Sequence, residues 1–192
     1  EDAVGWERIE DGYKQALRGK RKYTREAVTY DLLSEVNNVE LWRALKAIGP
    51  RPDPSQRQKE YRPGPYRHKT ITEPKTRSLH IPQLRDKIVQ LTIHEELQSI
   101  YRPVFVNRSF ACQYGRGPIR AAFNVQHDMR VARMKWGEDA AVIKLDVKKY
   151  FYSIDRQVLK QLLAKRFKKL KKKRLELYED LLRFYRLLCK VI

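Results

Sequence analysis

Residues 142–155 read VIKLDVKKYFYSID. The run AAVIKLD at 140–146 has the length and apolar content of a strand, and it brings Asp146 to its carboxyl end. A carboxylate there, beside the backbone carbonyl of Val147, offers hard oxygen donors to a divalent cation. In two-metal phosphoryl transfer such a carboxylate holds the ions that activate the attacking hydroxyl and steady the leaving phosphate. A lone strand-end aspartate is more often a cap or an ion-pair partner. The rest of the chain has to decide between the two readings.

Toward the C-terminus, a helix is expected from about Asp155, with Val158, Leu159, Leu162, Leu163 and Phe167 inward. It runs into KRFKKLKKKR at 165–174, eight basic positions in ten. A last helix is expected over 175–190. Toward the N-terminus, a helix is expected from about Pro118 to Met134, preceded by a loop, SFACQYGRG, at 109–117. Leu84, Ile88, Leu91, Ile93, Leu97 and Ile100 predict a helix over 84–101. Before it, two extended runs at 66–72 and 77–81 flank the turn EPKT and predict a hairpin that buries Ile71, Leu79 and Ile81 on one face. Residues 50–65, PRPDPSQRQKEYRPGP, read as a loop. Thr24 is placed to cap a single long helix to about Ile48, with Val28, Leu32, Val36, Val39, Trp42 and Leu45 on its apolar face. A first helix is expected over 5–18, carrying Trp6, Ile9, Tyr13 and Leu17.

Composition points to a polyanionic partner. The 192 residues carry 42 Lys and Arg against 23 Asp and Glu, a net charge of +19 with a pI near 10.0. Such an excess binds phosphates through counterion release. The mean hydropathy is −0.71, and no apolar run reaches the roughly 20 residues that span a bilayer. Residues 1–20 have no apolar core of a secretion signal. Cys112 and Cys189 form neither a metal spacing nor a disulfide framework. The expectation is a reduced, cytoplasmic chain, and its start at Glu1 reads as a trimmed or processed one.

Three segments, in order, resemble the N-terminal part of bacterial reverse transcriptases, the group that includes group II intron, retron, diversity-generating and phage-defence enzymes. EPKTRSLHIPQLRDKIVQ at 73–90 is similar to the fingers hairpin and the helix after it. SFACQYGRGPIRAA at 109–122 is similar to the segment before the palm. LDVKKYFYSID at 145–155 is similar to the first palm motif.

The resemblance implies an α+β right-hand polymerase: a helical extension and linker over 1–65, fingers over 66–135 and a partial palm over 136–192. It implies RNA-directed DNA synthesis, with dNTPs added to a primer 3′-hydroxyl on an RNA template or RNA–DNA hybrid. Two Mg2+ ions would serve the complete enzyme. Asp146 would be the catalytic metal ligand, helped by the Val147 carbonyl. Lys75, Arg77 and Arg85 would bind the dNTP, and Phe151 would exclude the ribose 2′-hydroxyl. Lys87, Gln113 and Arg116 would contact nucleic acid; on grounds of charge alone, Lys165, Lys168, Lys169 and Lys172 of the basic run would contact the phosphates of the template or hybrid. Two cations beside a hairpin turn suit triphosphate charge on chemical grounds as well.

One departure stands out. The family's aromatic-x-Asp-Asp motif occurs nowhere in the 192 residues. The expectation is therefore a truncated chain, inactive alone, because one aspartate cannot hold two ions productively. Two other classes remain open. One is a non-catalytic RNA-binding module with polymerase architecture. The other is a membrane-surface protein, supported by the 165–174 run alone.

Overall fold

The computed structural model describes residues 4–19, 24–51, 53–171 and 178–192. It is helix-rich, with one two-stranded antiparallel sheet among the described residues, an α+β arrangement in the general sense. Two compact units are present. The first comprises 1–97 with 155–192, and the second comprises 98–154.

The first unit is built on α1 (Trp6–Leu17), α2 (Arg25–Leu32), α3 (Ser34–Lys46) and most of α4 (Leu84–Tyr101). Ile9, Tyr13 and Leu17 are buried as their spacing predicts, and Ala16 joins them. Gly12 is there because α1 lies tight on α4: a Cβ would meet Thr92 Oγ1 at 2.9 Å and the Ile88 carbonyl at 3.0 Å. Thr92 Oγ1 also donates to the Arg8 carbonyl at 3.2 Å. On α4, Leu84, Ile88, Ile93 and Ile100 are buried with Val89 and Thr92, while Leu91 and Leu97 are half-buried.

The expected single helix over 24–48 is two helices. Thr24 caps α2, its hydroxyl accepting from Ala27 N at 3.2 Å. At Leu33 the backbone turns to φ −119°, ψ 30°, and α3 begins. Asn37 Nδ2 donates to the Tyr30 carbonyl at 3.1 Å, and Tyr30 OH donates to Asn38 Oδ1 at 3.0 Å. The Asn37 amide thus satisfies a carbonyl that a continuous helix would have paired, and the Tyr30–Asn38 bond links the two helices. The break also changes the inward face. Ala27, Asn38, Leu41 and Leu45 are buried, whereas Val28, Leu32 and Val36 are exposed.

The hairpin forms from β1 (Arg67–Ile71) and β2 (Arg77–Ile81), with Arg67 opposite Ile81 and Ile71 opposite Arg77. It has no buried face: Leu79 is exposed, and Ile71 and Ile81 are only half-buried. Alternation requires a covering layer before it produces burial, and none lies over this hairpin among the described residues.

In the same unit, α7 (Arg156–Lys171) packs on α8 (Tyr178–Val191). Leu163 and Phe167 are buried, and the Phe167 ring lies 5.9 Å from Phe184 and 5.8 Å from Tyr185. Val158 and Leu162, expected inward, are exposed. Glu60, Arg186 and Lys190 tie α8 to the loop after α3. Glu60 Oε1 lies 3.0 Å from Arg186 and Oε2 lies 2.7 Å from Lys190. Arg186 also donates to the Arg51 carbonyl at 2.7 Å. The expected start of this last helix near 175 lies outside the described residues.

The second unit holds α5 (Pro118–Trp136) and α6 (Tyr150–Ser153). The strand expected over 140–146 is absent. The segment has no regular secondary structure and is exposed. A strand is defined by a neighbour that takes its backbone hydrogen bonds, and no described segment offers one. Among the described residues no helix is long and apolar enough to cross a membrane.

Candidate functional site

The first group of chemically expressive residues surrounds the hairpin and the start of α4. Lys75 sits in the turn, and Arg77 opens β2; both are exposed. Strand alternation puts Arg67, Lys69 and Arg77 on one face with Leu79 and Ile81. The base of the hairpin is braced by Glu26 of α2. Its Oε1 accepts from Leu84 N at 2.7 Å, at the first turn of α4, and its Oε2 pairs with Arg67 at 2.8 Å. A carboxylate at a helix N-terminus meets unpaired N–H groups and the positive end of the dipole.

Beside it is a buried lock. Asp86 is 3% exposed and accepts from Tyr61 OH and Gly64 N, each at 2.8 Å. Tyr61 is 1% exposed, and the Arg85 guanidinium lies 5.1 Å from its ring centre. Burial, then the Asp86 hydrogen bond, push the Tyr61 phenol well above its ordinary value. Tyr30 is pushed up to about 12, mainly by burial. The YRPG loop is thereby clamped to α4, and Arg85 is held over the Tyr61 ring by a cation–π contact. Lys87, one residue past Asp86, is half-buried. Tyr61 opens the interleaved run YRPGPYR at 61–67, whose rings the sequence offers for stacking on single-stranded bases, but it is buried. Neither Asp86 nor Glu26 stood out in the sequence. The one available signal was an acidic residue inside the basic-led helix start LRDK.

The second group lies in 98–154. Gln113 is buried, and its Nε2 donates to Ser109 Oγ at 2.8 Å and to the Ser109 carbonyl at 3.0 Å. Arg116 donates to the carbonyls of Asn107 at 3.0 Å and Ser109 at 2.9 Å. Both side chains are therefore engaged in holding their own loop. Gly115 has φ +70°, a conformation that favours glycine. Arg108 reaches across to α5, pairing with Asp128 at 2.7 Å and bonding Asn124.

Asp146 ends the 140–146 segment, Val147 follows it, and both are exposed. Lys149 takes a left-handed conformation, φ 51°, and opens α6. There the Tyr150 and Phe151 rings lie 5.2 Å apart, and Phe151 is 84% exposed. Asp155 closes this stretch as the cap of α7, its Oδ1 accepting from Gln157 N at 2.7 Å. A cavity of about 250 Å³ in this unit is lined by Met129, Arg133, Glu138 and Val142 and does not include Asp146.

The donors at 146–147 suit Mg2+ in kind, since it prefers oxygen. They fall short of an octahedral set. No group of three or more His, Cys, Asp or Glu is poised for a metal among the described residues. On α7, Lys165, Lys168 and Lys169 are exposed, and Lys172 lies outside the described residues. Thus Lys75, Arg77, Arg85 and the α7 lysines belong to one compact unit, and Gln113, Arg116, Asp146, Val147 and Phe151 belong to the other. No protein-family model and no curated protein matches this chain.

Proposed function

We propose that this chain forms the fingers and first palm segment of an RNA-directed DNA polymerase of a bacterial retroelement or defence system. The observation that carries the reading is the order of its three segments, 73–90, 109–122 and 145–155, in one strongly basic chain. The exposed hairpin adds support, because Lys75 and Arg77 stand where a triphosphate could reach both. In this reading they offset phosphate charge, and Arg85, steadied on Tyr61, adds a third cation. Phe151, largely exposed, abuts the sugar C2′ and rejects a ribonucleotide. The Asp146 carboxylate and Val147 carbonyl would hold Mg2+ as two of its oxygen ligands. Bound there, Mg2+ supplies charge neutralisation at the reacting phosphate. The exposed α7 lysines contact the template backbone.

The test is primer extension on an RNA template by a polypeptide that joins this chain to an aromatic-x-Asp-Asp segment. Asp146→Asn should reduce the rate at least about a thousandfold, since a metal ligand controls several kcal/mol of transition-state stabilisation. Full activity in that variant overturns the assignment of Asp146. RNA binding by the chain with no synthesis in any such polypeptide favours the non-catalytic RNA-binding module. The single carboxylate at 146 is the observation that supports that second reading.

A further inference from the structure

The face of the hairpin opposite the cations has a different chemistry. Register pairs His68 with His80 and Thr70 with Ser78. Because strand side chains alternate, these four share one face, away from Arg67, Lys69 and Arg77. The two imidazoles are direct cross-strand partners, both exposed, with ring centres 4.5 Å apart and planes at 76°. They account for two of the four histidines in the chain.

We propose that His68 and His80 form a two-imidazole site for a borderline divalent transition-metal ion such as Zn2+, Ni2+ or Cu2+, clipping β1 to β2. Imidazole is the side chain these ions prefer, whereas Mg2+ takes oxygen. With metal–nitrogen bonds of about 2.0–2.1 Å, two ligand nitrogens in a tetrahedral set lie roughly 3.3 Å apart. Directly opposed strand residues have Cβ atoms about 4.5–5.5 Å apart, which lets two rings converge on one ion. Rotation about the side-chain torsions of two exposed residues is the adjustment needed from 4.5 Å. The remaining coordination positions are open to water, since no third His, Cys, Asp or Glu joins the pair among the described residues. The ion's effect is mechanical: an otherwise uncovered two-stranded ribbon, marginal in water on its own, gains a cross-link one register position in from its base, at the end away from the turn that carries Lys75. The site is independent of the polymerase reading.

The experiment titrates the 192-residue chain with Cu2+ and reads the number of equatorial nitrogens by electron paramagnetic resonance, alongside Zn2+ affinity by calorimetry. One ion with two imidazole nitrogens is expected. His68→Ala and His80→Ala should each weaken Zn2+ binding at least about tenfold, because even groups outside the metal's immediate ligands cost about 10–100-fold. The His94→Ala/His127→Ala variant should bind like the parent. Circular dichroism checks that each variant folds, and hydrogen exchange provides a readout that needs no variant. Zn2+ should slow exchange in 67–71 and 77–81. One nitrogen per ion, parental Zn2+ affinity in either the His68→Ala or the His80→Ala variant, or unchanged exchange in the hairpin with Zn2+ bound overturns the site.

Discussion

The two units solve the same problem in opposite ways. The unit formed by 1–97 and 155–192 buries a conventional apolar interior, including Ile9, Leu41, Leu45, Ile88, Phe184 and Leu187. In 98–154 only Ile100 and Gln113 are buried, and Ile119, Phe123, Val142, Ile143, Leu145 and Phe151 stand exposed. The first unit is held by apolar burial around a few satisfied polar locks. The second is held by helix hydrogen bonds and by Arg108, Gln113 and Arg116. The difference teaches that apolar sequence alone does not make a core; facing apolar layers do.

This contrast can be broken most sharply at Phe184. Phe184→Ala should cost about 3–5 kcal/mol, because a fully buried ring leaves a cavity. Urea denaturation followed by circular dichroism measures it, and a loss below 1 kcal/mol, roughly the surface range, would contradict a packed interior around α8. Asp86→Ala should come next, at about 2–4 kcal/mol. It strands the buried Tyr61 hydroxyl and the Gly64 N–H without an acceptor. The same titration reads it, with Asp86→Asn recovering part of the loss.

Acid tests the Glu60 lock. Burial alone would raise its carboxyl, but Lys190 and Arg186 outweigh burial and hold it below the ordinary glutamate value. The native state therefore takes up the proton less readily than the unfolded chain. The stability so contributed is complete above the ordinary glutamate range and is lost as pH falls through the lowered native value. Urea midpoints across that range should decline, and the decline should be shallower in Glu60→Gln. Parallel curves would show that the lock carries no pH dependence. The smallest effect belongs to the second unit. Phe123→Ser should change stability by no more than about 0.5 kcal/mol, since the ring is already 67% exposed. A larger drop in the thermal midpoint would mean that the α5 face is covered in solution.

Much of the fold was legible because helices and hairpins are decided by near neighbours. The spacing predicts α1, α4 and α5 nearly to their ends, and EPKT between two extended runs predicts the hairpin. The failures share a cause. The strand at 140–146 needs a partner for its backbone, the hairpin's buried face needs a cover, and the break at Leu33 depends on Asn37 and Asn38 reaching Tyr30. Of the candidate site, Lys75, Arg77, Asp146 and Phe151 are exposed residues whose chemistry can be read one at a time. Arg85 could be read as a cation, but its seat on Tyr61 could not.

By itself, then, the sequence determined the charge, most helix positions, the place of the hairpin and the ordered segments on which the proposed polymerase reading rests. These follow from composition, from periodicities of 3.6 and 2, and from turn chemistry. Only the tertiary structure decided that Asp86 joins Tyr61 to Gly64, that Glu60 meets Arg186 across 126 positions, and that His68 faces His80. Such pairings depend on which distant segments are brought to the same point. No local pattern encodes that before the chain has folded.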